Sequence, residues 1–191
     1  MADLVRSEFI LGGQRSGKSR RAEMLARQWL EAAQEHRAVL IATGQAWDEE
    51  MRERIARHQA DRALRVPGMA TVEEPRALAD AVRRHSDART LIVVDCLTLW
   101  LTNLMMPADS LRAHDEAAVI AAGDALCETI AAAPGPVVLV GNEIGLGVIP
   151  MGREVRDFVD ALGRLNQRVA AACERVTLMA AGLPLTLKEK T

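Results

Sequence analysis

Eight residues near the N-terminus, Gly12-Gly13-Gln14-Arg15-Ser16-Gly17-Lys18-Ser19, match GxxxxGK[ST] at every fixed position. The run follows an apolar segment, Glu8 to Leu11, and precedes a segment of helical period, so it sits at a strand-to-helix junction. Gly12 and Gly17 permit backbone angles and close approaches that a Cβ would block, so that successive N–H groups turn inward toward an anion. The helix N-terminus adds its partial positive charge. Lys18 is placed to reach β- and γ-phosphates, and the Ser19 hydroxyl to ligate Mg²⁺. The motif therefore predicts nucleoside triphosphate binding, without naming the acceptor.

The rest of the chain repeats the alternation that this junction begins. Apolar runs at Ala38 to Ala42, Thr90 to Asp95, Pro136 to Gly141 and Val176 to Ala181 read as strands, with a further one at Leu183 to Leu187 after the Gly182 break. LIVVD and VVLV are continuous apolar runs, as expected of parallel strands covered on both faces. Ala22, Leu25, Ala26, Trp29, Leu30 and Ala33 form one apolar helical stripe after the phosphate loop. Other helices are expected over Asp48 to Ala60, Pro75 to His85, Ser110 to Ala132 and Arg153 to Arg175. The fold class is α/β, P-loop NTPase-like, with a mostly parallel sheet and helices on both faces. With 191 residues, 49% hydrophobic, and no long polar linker or internal repeat, residues 1–191 are expected to form a single domain.

Charge and cysteine usage narrow the setting. The net charge of -2, from 24 basic and 26 acidic residues without long blocks of one sign, disfavours general nucleic-acid binding. No run reaches the roughly 18 uninterrupted apolar residues of a spanning helix, so membrane insertion is not expected. MADLVRSEFILGG resembles neither a secretory signal nor a transit peptide. Cys96, Cys127 and Cys173 suggest neither a disulfide framework nor a zinc site, and a reducing, cytoplasmic setting is expected.

Three further segments bear on chemistry. Asp95 ends an apolar strand where a carboxylate would hold Mg²⁺ directly or through water; an acid that merely caps the next segment would look the same. In DEEMRERIARHQADR, Met51, Ile55, His58 and Arg62 share a helix face, with Arg54 and Arg57 close by. Cations around His58 disfavour its protonation and leave a neutral nitrogen for attack on phosphorus. On composition alone, a solvated charged helix with an incidental histidine accounts for the segment as well. Val140 to Pro150 is a glycine-containing loop at the C-terminal end of an expected central strand; it offers Asn142 and Glu143 there, and reads equally as an ordinary crossover.

Taken together, GGQRSGKS, IATG, DEEMRERIARHQADR, TVEEP, VVDCLTLWLTNL, GNEIGLGVIP, GRLNQRVA and AGLPLTLK resemble, in collinear order over nearly the whole chain, the bifunctional adenosylcobinamide kinase/adenosylcobinamide-phosphate guanylyltransferase family. The resemblance implies phosphorylation of the aminopropanol hydroxyl of adenosylcobinamide by ATP or GTP. GMP transfer from GTP to that adenosylcobinamide phosphate would follow, giving adenosylcobinamide-GDP. The family's RIxxH pattern falls on Arg54 to His58, which makes His58 the expected site of a GMP-histidine intermediate, beside Lys18 as the other catalytic residue. By the same matching, Gly12 to Ser19, Ala42, Thr43, Gly44, Gln59, Ala60, Asp61, Arg62, Glu73 and Asp95 would line the nucleotide site, with Ser19 and Asp95 toward Mg²⁺. The family also implies a homo-oligomer, a trimer being expected. Two departures stand out: Val66 to Met69 lacks a tryptophan that relatives often carry, and Asp95 stands where some have Glu. Other readings of the residues remain: a guanylyltransferase-only member, a kinase of another small alcohol, or a non-enzymatic nucleotide switch.

Overall fold

The computed structural model describes residues 4–46, 48–107, 113–148 and 150–190, with Arg54 described for its backbone only. Its strands are β1 (Ser7–Gly12), β2 (Arg37–Ala42), β3 (Ala70–Glu73), β4 (Thr90–Asp95), β5 (Val137–Val140), β6 (Arg175–Ala180) and β7 (Leu183–Glu189). The helices are α1 (Lys18–Ala32), α2 (Glu49–Arg65), α3 (Leu78–His85), α4 (Leu97–Met105), α5 (Glu116–Ala132) and α6 (Arg153–Ala172). The strands form one sheet in the order β3-β2-β4-β5-β1-β6-β7, parallel throughout except for antiparallel β7. The expected class is the observed one.

Two apolar layers explain the order of elements. On one face, Ala22, Leu25 and Ala26 of α1 pack on Ile10, Leu40, Leu91, Val93, Val138 and Val140. On the other, α3, α4, α5 and α6 cover Phe9, Leu11, Ile41, Ile92, Val94 and Leu139. β4, up to half-buried Asp95, and β5 are buried along their length, which is why LIVV and VVLV appear in sequence as unbroken apolar runs; β1 is equally buried but carries Ser7 and Glu8, the latter paired with Arg21. Burying a large aliphatic side chain of this kind contributes about 1.5–3 kcal/mol, so these central strands dominate the stability of the fold.

Several elements differ from the sequence expectation. β3 was not expected: its four residues carry no apolar run and are exposed apart from half-buried Val72, because β3 is an edge strand that pairs only with β2. α4 was also not expected. Leu97, Trp100, Leu101 and Leu104 recur at i, i+3, i+4 and i+7 and are buried in the core, but the helix is only nine residues long and follows directly on the apolar β4, so strand and helix merge into one apolar run in the sequence. α2 continues to Arg65 rather than ending at Ala60. α5 begins at Glu116, with Asp115 capping the N–H of Ala118 at 2.8 Å, and the expected start at Ser110 lies outside the described residues.

Candidate functional site

All strands but β7 run in one direction, so the C-terminal ends of β1, β2, β3, β4 and β5 share one sheet edge. The register aligns Ala42 with Glu73 on one side and with Asp95 on the other, and Asp95 in turn with Val140. Glu73 and Asp95 therefore end strands two apart, about 10 Å at the backbone. The acid-bearing β4 is not next to β1, since β5 lies between them.

The phosphate loop leaves β1 at this edge. Gly12 has φ +153°, and a Cβ there would stand 2.4 Å from the Met179 carbonyl oxygen and 2.6 Å from Ser16 Oγ; glycine alone fits. Gly17 caps α1 with φ +100°, and Arg15 is left-handed at φ 55°. The turn is closed by Ser16 N–H donating to Gly13 O (3.3 Å) and tied to the β6–β7 turn by Gly182 N–H donating to Ser16 O (3.1 Å). Lys18 is buried and its Nζ donates to Gly13 O at 2.6 Å, folded over the loop. Ser16 Oγ is buried without a hydrogen-bond partner among the described residues. Such an orphaned hydroxyl in a glycine cradle fits an anion with several acceptor oxygens, which is what a phosphate offers. Gly13, Gln14 and Arg15 are exposed at the mouth, and Ser19 is half-buried in the first turn of α1.

α1 also faces the end of β4. Glu23, one helical turn beyond Ser19, is buried; desolvation raises its carboxyl above the ordinary range, opposed mainly by the Arg65 guanidinium, while Asp95 pushes in the same direction as burial. This buried acid is a site feature that the sequence reading missed, although its spacing of four from Ser19 puts both on one face. Cys96 is pushed up to about 11, chiefly by burial, so next to half-buried Asp95 stands a neutral thiol rather than a thiolate. Ser19 and Asp95 offer the oxygen donors that Mg²⁺ takes. No trio of His, Cys, Asp or Glu side chains among the described residues forms a protein-only metal cluster.

Ala42, Thr43 and Gly44 are clamped rather than open. Thr43 Oγ1 donates to Cys96 O (2.7 Å) and accepts from Cys96 N–H (2.9 Å), while Asn103 Nδ2 donates to Thr43 O (2.7 Å). The Thr43 side chain is fully buried, so this residue positions the segment by its backbone, and its hydroxyl is committed to the protein. A Cβ at Gly44 would stand 3.3 Å from Leu99 Cδ1 and 4.0 Å from Ile55 Cδ1, which places α2 against this segment.

α2 opens with Asp48 accepting from Met51 N–H at 2.7 Å and carries acids in its first turn and arginines in its last, in line with the helix dipole. Met51, Ile55 and Arg62 are half-buried, whereas His58, expected on the same face, and its neighbours Arg57, Gln59, Ala60 and Asp61 are exposed. Arg62 donates to Thr71 Oγ1 at 3.2 Å, and Arg65 pairs with Asp61 (3.0 Å) and with buried Glu23. The structure thus brings together the phosphate loop, Ala42–Gly44, Asp95 and Glu73 along the sheet edge. Arg62 and Arg65, in the last turn of α2, tie that helix to β3 and to α1, and His58 stands exposed one turn before Arg62. His36, in contrast, stacks on Trp29 at 3.6 Å, and His114 Nδ1 lies 2.8 Å from an Arg76 nitrogen, both as parts of local packing.

Comparison with known proteins agrees with this geometry. The model of the cobinamide kinase / cobinamide phosphate guanyltransferase family matches residues 8–187. The bifunctional adenosylcobalamin biosynthesis protein CobP of Pseudomonas aeruginosa is 48% identical over 182 residues, covering 95% of this chain and 96% of its own. CobU of Escherichia coli is 34% identical over 187 residues, covering 94% and 98%. Among solved structures, the flagellar accessory protein FlaH of Methanocaldococcus jannaschii superposes with a TM-score of 0.54 at 12% identity, covering 97% of this chain and 79% of that one. The PH0250 protein of Pyrococcus horikoshii gives 0.55 at 9% identity, covering 98% and 88%. These last two likenesses concern the fold alone. The collinear motifs, the phosphate cradle on the sheet edge and the full-length family match converge: the chain belongs to the cobinamide kinase / cobinamide phosphate guanyltransferase family.

Proposed function

We propose that this chain phosphorylates adenosylcobinamide with ATP or GTP and then transfers GMP from GTP to the resulting phosphate, releasing pyrophosphate and forming adenosylcobinamide-GDP. The observation that carries this reading is the phosphate cradle with its orphaned Ser16 hydroxyl and folded Lys18, in a chain matched to this family over residues 8–187. Gly12 to Ser19 would hold the triphosphate through inward N–H groups, with Lys18 swinging from Gly13 O to the phosphate oxygens. Ala42, Thr43, Gly44, Gln59, Ala60, Asp61, Arg62 and Glu73 would complete the nucleotide site. Ser19 and Asp95 would hold Mg²⁺, which when bound neutralises charge on the phosphates.

For guanylyl transfer, His58 attacks the α-phosphorus of GTP; the N–P bond forms as the bond to pyrophosphate breaks. The cobinamide phosphate oxygen then attacks the same phosphorus and the imidazole leaves, taking up a proton. The phosphoryl step needs no covalent residue, because positioning and charge neutralisation supply most of the acceleration. The whole chain would act as one catalytic domain in the cytoplasm; no helix among the described residues is long and apolar enough to cross a membrane. A homo-oligomer, a trimer in our reading, is supported by edge strand β7, whose Leu183, Leu185 and Leu187 are 70%, 58% and 55% exposed.

The test is product analysis. Purified protein incubated with adenosylcobinamide and GTP should yield both the phosphate and the GDP adduct by mass spectrometry. Formation of the adduct only when adenosylcobinamide phosphate is supplied would reduce the protein to a guanylyltransferase, and absence of both products would overturn the proposal.

A further inference from the structure

We propose that Glu143 is the general base of the phosphoryl-transfer half-reaction, the group that takes the proton of the attacking hydroxyl. The inference rests on the kinase reading above and adds a residue to it.

Glu143 sits just beyond the tip of β5, the strand between the phosphate-loop strand β1 and the acid-bearing strand β4. Its backbone is pinned from three sides. Glu143 N–H donates to Gly12 O at 3.2 Å, so the residue is bonded directly to the start of the phosphate loop. Asn142 N–H donates to Thr98 Oγ1 at 3.0 Å, three residues past Asp95. Buried Asn166 donates its Nδ2 to Asn142 O at 3.1 Å from beneath. The backbone that carries this carboxylate is therefore held between the phosphate loop and the end of β4. Its Oε1 accepts Gly145 N–H at 3.0 Å, which fixes the carboxylate plane and leaves Oε2 to accept a proton. A groove of about 680 Å³ begins one residue further on, lined by Ile144, Gly145, Val148, Arg153, Arg156 and Gln167, and offers room beside this loop for a bulky alcohol.

Loss of a proton is unavoidable in this step. As the hydroxyl oxygen bonds to the γ-phosphorus, the bond from that phosphorus to the β,γ-bridging oxygen breaks and the nucleoside diphosphate leaves with the electron pair. The hydroxyl proton passes to Glu143 Oε2 and then to solvent. The α2 histidine serves the other half-reaction as its nucleophile, so the two reactions draw on different residues.

Glu143→Gln is the discriminating variant, because the amide oxygen still accepts from Gly145 N–H and the turn is preserved. ATP-dependent phosphorylation of adenosylcobinamide should lose at least about 10²-fold in kcat with KM little changed, the usual worth of a positioned base. GMP transfer to supplied adenosylcobinamide phosphate should stay within about threefold of wild type, since it uses no hydroxyl acceptor. Glu143→Asp, which keeps the carboxylate, should recover part of the lost kcat. The proposal is overturned if Glu143→Gln keeps its kinase kcat, if both reactions fall together, or if KM moves in place of kcat. Should wild-type protein itself show no kinase activity, the reading beneath the proposal falls, a result separable from failure of the variant alone.

Discussion

At Gly12 the backbone has no room for a methyl group, whereas His58 stands on a helix stretch with exposed residues on both sides. The phosphate loop is locked by contacts to Met179, Gly13, Ser16 and Gly182. Helix α2 is held by Ile55 near Gly44, by Arg62 on Thr71 and by Arg65 on Glu23. The difference separates two ways of building a site. One holds charge on a turn whose first glycine leaves no space for a Cβ; the other carries the proposed nucleophile on an exposed stretch of helix whose anchors lie to either side of it. Transfer from histidine to a bulky acceptor suits the second arrangement, since the reacting nitrogen must meet two different partners in succession.

The comparison can be broken by substitutions on either side of it. The largest expected effect is His58→Ala, which should cost guanylyl transfer more than about 10⁴-fold, as loss of a covalent nucleophile does, and leave the kinase reaction in place. Steady-state assays of the two reactions check it; equal loss of both would contradict the separation. Lys18→Ala should reduce both reactions, by about 10²–10³-fold each, because both develop charge on phosphates in the same cradle.

Smaller effects concern stability. Gly12→Ala should lower the melting temperature by about 3–10 °C, from roughly 1–3 kcal/mol of steric strain against Met179 O, with loss of nucleotide-induced stabilisation. Arg65→Ala should cost about 1 kcal/mol at neutral pH, by leaving Glu23 buried without its principal cation. The sign of its pH dependence follows from the raised Glu23 carboxyl. A raised acid favours folding most below its unfolded value, given as 4.5, and that contribution is lost as pH rises through the folded value. Without Arg65 the folded value moves higher, so the melting-temperature gap from wild type should be widest at pH 7.5 and narrow as the buffer is taken toward pH 5. A gap independent of pH would remove Glu23 from the explanation.

What could be read in advance follows the range of the forces involved. The phosphate loop was legible because its glycines and lysine answer local requirements, and Asp95 because a doubly buried strand leaves an apolar run ending in an acid. β3 was not, since Ala70–Glu73 owes its strand conformation to pairing with β2 and not to its own composition. α4 was hidden for a different reason: its stripe of Leu97, Trp100, Leu101 and Leu104 spans only nine residues and begins two residues after the apolar β4, so the two elements read as one run. The insertion of β5 between β1 and β4 is a property of strand order, which no local pattern encodes; the sequence put Glu143 at the end of a central strand, but not its bond to Gly12 of the phosphate loop. Thr43 was placed in the nucleotide site by resemblance, yet its hydroxyl is spent on Cys96, a commitment visible only when the two segments meet.

The central claim is that the histidine of α2 becomes covalently loaded by a triphosphate seated in the glycine turn. GTP labelled at the α-phosphate, mixed with the protein and quenched under alkaline conditions, followed by peptide mapping, tests it most directly. The account predicts one acid-labile label on the peptide containing His58, absent in both His58→Ala and Lys18→Ala and discharged by adenosylcobinamide phosphate. A label that persists in His58→Ala, or turnover to the GDP adduct by that variant at the wild-type rate, would contradict it.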